Sequence, residues 1–423
     1  MLFKKNSLEV DAHLRDAINI ASETYIPENC QMEDTTIISY SRSKNDSLLS
    51  LTESRSRYLL PFGGRFRVVD FTIQNAVYSG ARRTIIYNDF EDELQGYVDR
   101  YGSFGDSRFP SVKVISREFS DISVCYHMIM DSNTAYYIIY NGDNPSIIDF
   151  SKIIEIFKKN KSKASLFKLK VSGHASMAHT ILVTGQKYLL SIIKSAIKSK
   201  QNSPNIFEMI INTMINNGIK NESINAFYWP MKTVPDYYNI NMEILKNYNI
   251  SSLIYHKSPI KSFITEKGQA VIGVNAKIAN SIISDNCRIY GTVMNSIIFP
   301  GVEIGENTHV KDSIILPNSI IGSGSYITKT IIDERTDIKI ENDTTDSAVK
   351  FPNIGNKCYI GTSDGQMKNN EFSSLNGSLT LIGKNCRIPN EAKVGGACYI
   401  ASGKGESYFQ KNKHLYNGLS ILN

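Results

Sequence analysis

Ile278-Ala279-Asn280-Ser281-Ile282-Ile283 is the first of four versions of one block. It returns as Val293-Met294-Asn295-Ser296-Ile297-Ile298, as Val310-Lys311-Asp312-Ser313-Ile314-Ile315 and as Ile327-Thr328-Lys329-Thr330-Ile331-Ile332, at offsets of 15, 17 and 17 residues. A second set runs in phase with it: Ile272-Gly273, Ile289-Tyr290, Ile304-Gly305 and Ile321-Gly322, at offsets of 17, 15 and 17. One aliphatic residue about every six positions, with small or polar residues between, is the period of a hexapeptide parallel β-helix. Each coil then has three short strands whose aliphatic side chains stack inward on their equivalents in the next coil. Gly, Asn and Asp serve the corners, where positive φ or a side-chain hydrogen bond is needed. An antiparallel sandwich of short strands is the alternative, and it gives no reason for phasing held over four coils. The reading is a left-handed parallel β-helix. Such a solenoid supports and assembles, and names no reaction.

The chain has 423 residues, too many for one ordinary core. The net charge is +6, from 47 basic and 41 acidic residues, with no long basic run. That is poor material for nucleic-acid binding and equally suited to small anions. The cysteines, Cys30, Cys125, Cys287, Cys358, Cys386 and Cys398, are scattered without a CxxC pair, so zinc and redox motifs are absent. No apolar run reaches transmembrane length, and no apolar stretch of signal-peptide type follows the basic first five residues. These features lead to the expectation of a cytoplasmic protein with reduced thiols and no membrane partner.

Before the repeat, apolar strands alternate with amphipathic helices. Strands are expected at residues 35–41, 84–87, 136–140, 164–169 and 180–183. Helices are expected from Phe71 to a C-cap at Ser79-Gly80, then at 150–159, 187–198, 206–216 and 236–246. The alternation argues for a Rossmann-like, three-layer α/β domain with a mainly parallel sheet. The domains are therefore an extension (1–34, with one helix at 10–21), the α/β domain (35–246), a linker (247–270) and the β-helix domain (271–423). A polar insertion at 336–353 and a surface loop at 362–377 interrupt the last.

The densest motif outside the repeat is Pro61-Phe62-Gly63-Gly64-Arg65-Phe66-Arg67-Val68-Val69-Asp70-Phe71. It resembles the PFGGKFRIIDF block of the glucose-1-phosphate adenylyltransferases, also called ADP-glucose pyrophosphorylases, which carry a hexapeptide helix after a nucleotidyltransferase domain. Asn75 with Ser79-Gly80-Ala81-Arg82-Arg83, and Tyr228-Trp229 with Asp236-Tyr237-Tyr238 and Asn241-Met242, resemble two further segments of that family. The likeness covers roughly residues 36–400.

The family's reaction is an in-line attack of a sugar phosphate on the α-phosphate of a nucleotide. It needs backbone N–H groups around the phosphates, a basic residue and two carboxylates for Mg²⁺. In place of the glycine loop GGxGTRL stands Arg42-Ser43-Lys44-Asn45-Asp46-Ser47-Leu48. In place of the base-contacting GTADA stands Arg117-Glu118-Phe119-Ser120-Asp121. Asp143, in Asn141-Gly142-Asp143-Asn144, matches the first metal aspartate, whereas Pro230-Met231-Lys232-Thr233 replaces the DVGT that supplies the second. The FVEKP lysine has no counterpart between Leu169 and Ala175.

This pattern of losses resembles the GlgD-type subunit, a degenerate homologue that associates with a catalytic GlgC-type subunit and alters its activity. The resemblance implies a non-catalytic or weakly catalytic regulatory subunit in glycogen synthesis, in a hetero-oligomer or a homo-oligomer. No catalytic site is intact, Asp143 is a relic, and Mg²⁺ and nucleotide enter only if activity remains. Arg65 matches the family's basic residue for phosphorylated effectors, so Arg65, Arg67, Arg82 and Arg83 are candidates for an effector or anion site, with ordinary ion pairs as the alternative. His174 and His179 read as structural, and Trp229, the one tryptophan, reads as core beneath the old site. Two rivals remain: an active nucleotidyltransferase with a rearranged site, and a hexapeptide acyltransferase, with His309 as its candidate base, or a scaffold.

Overall fold

The computed structural model describes residues 32–41, 47–88, 90, 93–101, 110–115, 122–170, 180–199, 205–252, 254–255, 262, 268–335 and 353–422. The expected helix at 10–21, the segments at 42–46 and 117–121, His174, His179 and the insertion at 336–352 lie outside these residues.

Seven strands form the first sheet: β1 (Met32–Tyr40), β2 (Ala81–Tyr87), β3 (Ser111–Ile115), β4 (Tyr136–Asn141), β5 (Ala164–Lys170), β6 (Thr180–Gly185) and β7 (Lys220–Asn225), in the order β7-β5-β6-β4-β1-β2-β3. All pairings are parallel except those of β6, which runs antiparallel to β4 and β5. Helices cover both faces, so the central strands are continuous apolar runs and not alternating ones. Ile38, Ile139 and Leu182 pack under α3 (Gln186–Lys198) and α4 (Ile206–Asn216). Ile37, Ile138 and Val183 pack under α2 (Phe150–Asn160), which buries Phe150, Ile153, Ile154 and Phe157 at helical spacing. That helix starts where Asp149 accepts a bond from Lys152 N and ends at Lys161 with φ 50°. The three-layer reading holds. Two strands, β3 and β7, were not legible because they are short and half polar. Residues 32–34 of the expected extension are the first rungs of β1.

The β-helix follows the repeat residue for residue. Ile278 pairs with Val293, Val293 with Val310, and Val310 with Ile327. Ile282-Ile283, Ile297-Ile298, Ile314-Ile315 and Ile331-Ile332 pair in the same register, as do Ile272, Ile289, Ile304 and Ile321. Two of its three parallel sheets reach seven strands. The block's third position is a corner: Asn280, Asn295, Asp312 and Lys329 all have φ between 44° and 50°. There Asn280 Nδ2 donates to Asn295 Oδ1 (2.9 Å), and Asn295 Nδ2 to Asp312 Oδ1 (3.2 Å).

The isoleucine doublets serve two cores. Ile298, Ile315 and Ile332 point into the solenoid. Ile297, Ile314 and Ile331 point outward, and with Phe299, Leu316 and Leu381 they form the floor on which the α/β domain sits. Leu51, Phe62, Phe66, Tyr237 and Met242 cover that floor. The stretch expected to be a linker contributes as well: it holds a short helix, Tyr248–Ser252, and buries Ile250 and Ile254 in the same core. The loop at 362–377 is mostly exposed, yet Leu375 is buried in this core and Phe372 packs edge-on against Tyr399. Apolar side chains in both segments were the available signal. Among the described residues no helix is long and apolar enough to cross a membrane.

Candidate functional site

The carboxyl ends of parallel strands are where an open α/β sheet binds ligands, and Asp143 lies just past β4. It is fully buried. Ser41 Oγ donates to its Oδ2 (3.2 Å), and Asn144 Nδ2 donates to its Oδ1 (2.6 Å). Arg57, on the short turn Arg57–Leu59, places Nη1 at 3.7 Å from Asp143 Oδ2. The same guanidinium donates through Nη2 to Asn144 Oδ1 (3.2 Å) and to the Met231 carbonyl. Met231 N in turn donates to Asn144 Oδ1 at 2.8 Å. Arg57 thus bridges Asp143 and the Pro230-Met231 segment, the two places where the resemblance puts metal carboxylates.

The residues present do not fit Mg²⁺. A hard dication needs several oxygen ligands in near-octahedral array. Here one carboxylate faces a guanidinium, and the second position carries proline and methionine. Among the described residues no group of three or more His, Cys, Asp or Glu side chains is placed to hold a metal.

The Pro61–Phe71 block is intact and points elsewhere. Pro61–Phe62 and Phe66–Arg67 pair as a small hairpin, turned by Gly63 (φ 59°) and Gly64 (φ 80°). A Cβ on Gly64 would lie 2.8 Å from Ile282 Cγ2, so glycine is needed for both the backbone angle and the close approach. Asn241 Oδ1 accepts from Gly63 N (2.8 Å), Tyr237 OH donates to Pro61 O (2.7 Å), Tyr255 OH donates to Gly63 O, and Ser284 Oγ donates to Gly64 O (2.6 Å). Trp229 completes an aromatic cluster with Phe62 and Phe71, in the core as expected. This hairpin fastens α5 (Val234–Lys246) and the first coils of the solenoid to the sheet.

Helix α1 (Val68–Tyr78) follows the hairpin, and Asp70 closes its first turn by accepting from Arg67 N (2.7 Å). Asp70 also accepts from Tyr97 OH (2.8 Å) and Tyr101 OH. Burial pushes its carboxyl up to about 6, opposed by these bonds.

The four candidate arginines do not converge. Arg65 is exposed with its guanidinium over the Phe66 ring (5.7 Å). Arg67 donates to the Leu59 carbonyl and sits 3.4 Å from Glu334. Arg82 and Arg83 stand at the far end of α1, about 16 Å of helix away. Arg82 pairs with Glu33 (2.5 Å) and Arg83 donates to Asn133 O (3.2 Å) and Thr134 Oγ1 (3.1 Å). His309 lies on an outer face of the β-helix, ring-stacked on Tyr326 at 4.8 Å. The residues that sequence reasoning missed are Arg55, Arg57, Asp333, Glu334 and Lys384, because contacts between polar loop residues from 50 to almost 280 positions apart leave no local signal.

Comparison with known proteins agrees with this plan. Residues 262–345 match the family model "GlmU-like, C-terminal hexapeptide". The glucose-1-phosphate adenylyltransferase of Pseudothermotoga lettingae is 24% identical over 412 residues, covering 86% of this chain and 93% of that protein. That of Clostridium botulinum (strain Alaska E43 / Type E3) is 25% identical over 317 residues, covering 62% and 80%. That of Bacillus cytotoxicus is 24% identical over 339 residues, covering 69% and 88%. In its α/β domain seated on a hexapeptide helix, its Pro61–Phe71 block and its sequence, what the chain is similar to is the glucose-1-phosphate adenylyltransferases.

Proposed function

We propose that this chain is a non-catalytic or weakly catalytic, GlgD-type regulatory subunit of a cytoplasmic glucose-1-phosphate adenylyltransferase, acting in glycogen synthesis beside a catalytic GlgC-type chain. The observation that carries the reading is Arg57. Its guanidinium spans Asp143 and the Met231 carbonyl, so a fixed side-chain cation stands where the reaction would need an exchangeable metal ion. Phosphoryl chemistry of this kind rests on positioning and charge stabilisation, and the residues at this site supply neither glycine loop nor paired carboxylates. The hairpin that joins the two domains, by contrast, is complete. The chain therefore keeps the scaffold of the enzyme and dispenses with its centre. Arg65, exposed at the hairpin tip, is the group through which a partner carboxylate or a phosphorylated effector is engaged.

The test is reconstitution with a catalytic glucose-1-phosphate adenylyltransferase from the same cell. Sedimentation should show a mixed oligomer, and the effector response of the mixture should differ from that of the catalytic chain alone. Two non-interacting species with unchanged kinetics would end the proposal.

A further inference from the structure

Three cations and two anions meet where the α/β domain rests on the β-helix. Arg55 comes from the loop before the hairpin, Arg67 from the base of α1, and Lys384 from a late coil. Asp333 and Glu334 leave the Thr330–Ile332 strand. Arg55 Nη2 lies 2.7 Å from Asp333 Oδ1, and Arg55 Nη1 lies 2.7 Å from Glu334 Oε1. Lys384 Nζ is 3.2 Å from Glu334 Oε1, and Arg67 Nη2 is 3.4 Å from Glu334 Oε2. Arg55 is 3% exposed and the Asp333 side chain 0%. Glu334 is thus held by three cations from three separate elements.

That is more positive charge than one carboxylate balances, and the cluster as a whole carries one cation in excess. Two guanidinium forks and an ammonium converging on one point suit a tetrahedral oxyanion, whose several oxygens could engage all three at once. Glu334 supplies two oxygens to that point. Asp333 Oδ1 accepts from Arg55 and from the Glu334 backbone N–H (2.6 Å), while its Oδ2 has no hydrogen bond among the described residues, so Arg55 is the one of the three cations that Asp333 pairs with. Burial by itself would raise the Glu334 carboxyl, but Arg55, Arg67 and Lys384 outweigh it and hold it well below the usual range. Burial also raises the Asp333 carboxyl, and Arg55 does not offset it.

We propose that Glu334 is a tethered anion: from within the chain it fills a cationic pocket between the two domains that is otherwise fitted to a small phosphate-type anion. The pocket in the native chain is closed to such anions, and the domain arrangement that a bound anion would stabilise is made permanent. This inference does not depend on the regulatory reading, since it concerns how the domains are joined and not what the chain joins.

The experiment uses the full chain and its Glu334→Gln variant, with inorganic pyrophosphate as the probe and sodium chloride at matched ionic strength as the control. The native chain should unfold at the same temperature in both. Glu334→Gln should unfold at lower temperature in chloride and recover roughly 2–4 °C or more when pyrophosphate is in large excess over its dissociation constant. Adding Lys384→Gln to that variant should abolish the recovery. If Glu334→Gln does not fold in chloride, its refolding yield in pyrophosphate against chloride is read instead, with the same expectation. A native chain stabilised by pyrophosphate as strongly as the variant overturns the proposal, and so does a Glu334→Gln chain indifferent to it in both readouts.

Discussion

Arg57 Nη1 lies 3.7 Å from Asp143 Oδ2, in a site where Asp143 has no solvent exposure. Asp143 is thereby a structural counter-ion. Replacing it with Asn should leave Arg57 short of compensation and reduce stability by about 1–3 kcal/mol, the range for a buried group left without its partner. The effect on a catalytic partner, per folded molecule, should be nil. Urea unfolding and the reconstituted assay check the two halves separately. Unchanged stability together with lost activity in the pair would reverse the assignment.

Manganese binding examines the same pair from the ligand side. Mn²⁺ titrated into the native chain, followed by its electron paramagnetic resonance signal, should show no saturable site that Asp143→Asn removes. A site lost specifically in that variant would mean that Arg57 yields its place to a metal.

The hairpin tip is the mechanical joint. Gly64→Ala adds a Cβ 2.8 Å from Ile282 Cγ2 at a residue with φ 80°. Overpacking and backbone strain together should cost roughly 1–3 kcal/mol. Ile282→Ala, which removes the Cγ2 that the new Cβ meets, should recover the steric part, measured against Ile282→Ala alone, and not the backbone part. Full recovery, or none, would show that only one of the two causes acts. Arg65→Ala, at the exposed position beside it, should leave stability within about 0.5 kcal/mol. It should weaken association or effector response by about 1–3 kcal/mol if Arg65 makes the charged contact proposed for it.

How far these joints could be read from sequence differs by kind. The β-helix was legible almost to the rung, because its period is local and each aliphatic position pairs with its own equivalent: Ile283, Ile298, Ile315 and Ile332 needed no distant information. The doublets also contained the docking face, since a second isoleucine beside each inward one needs a partner outside the solenoid. What covers that face was not legible. Phe62, Tyr237 and Ile254 reach it from three remote segments. The departures from the resembled motifs could be read residue by residue, but what stands beside Asp143 could not. Arg57 sits in a polar stretch that reads as loop, and its pairing with Asp143 spans 86 positions. Arg55 and Asp333, 278 apart, are a further case: a charged pair fixed only by tertiary structure looks like ordinary surface in a sequence.

Asp70 gives a pH dependence with a definite sign. Its folded value of about 6 stands above the ordinary 3.8, so the folded chain binds the proton more tightly than the unfolded one. The resulting stability is complete below about pH 4 and is lost as pH rises through 6. The stability of the native chain relative to Asp70→Asn should therefore fall across that window, by up to about 3 kcal/mol, and then level off. Urea unfolding of both chains from pH 4 to 8 measures the difference, in which the other carboxylates cancel. A difference that grows with pH would place the Asp70 carboxyl below its ordinary value and contradict the buried, desolvated environment.

Pyrophosphate release by the purified chain alone tests the central claim most directly. With ATP, glucose-1-phosphate and Mg²⁺, the rate should not exceed that of a protein-free control, and Asp143→Asn should be indistinguishable from the native chain. Turnover of about 1 per second or more, abolished by Asp143→Asn, would show that the Arg57–Asp143 pair opens to form a working centre and that the chain is an enzyme in its own right.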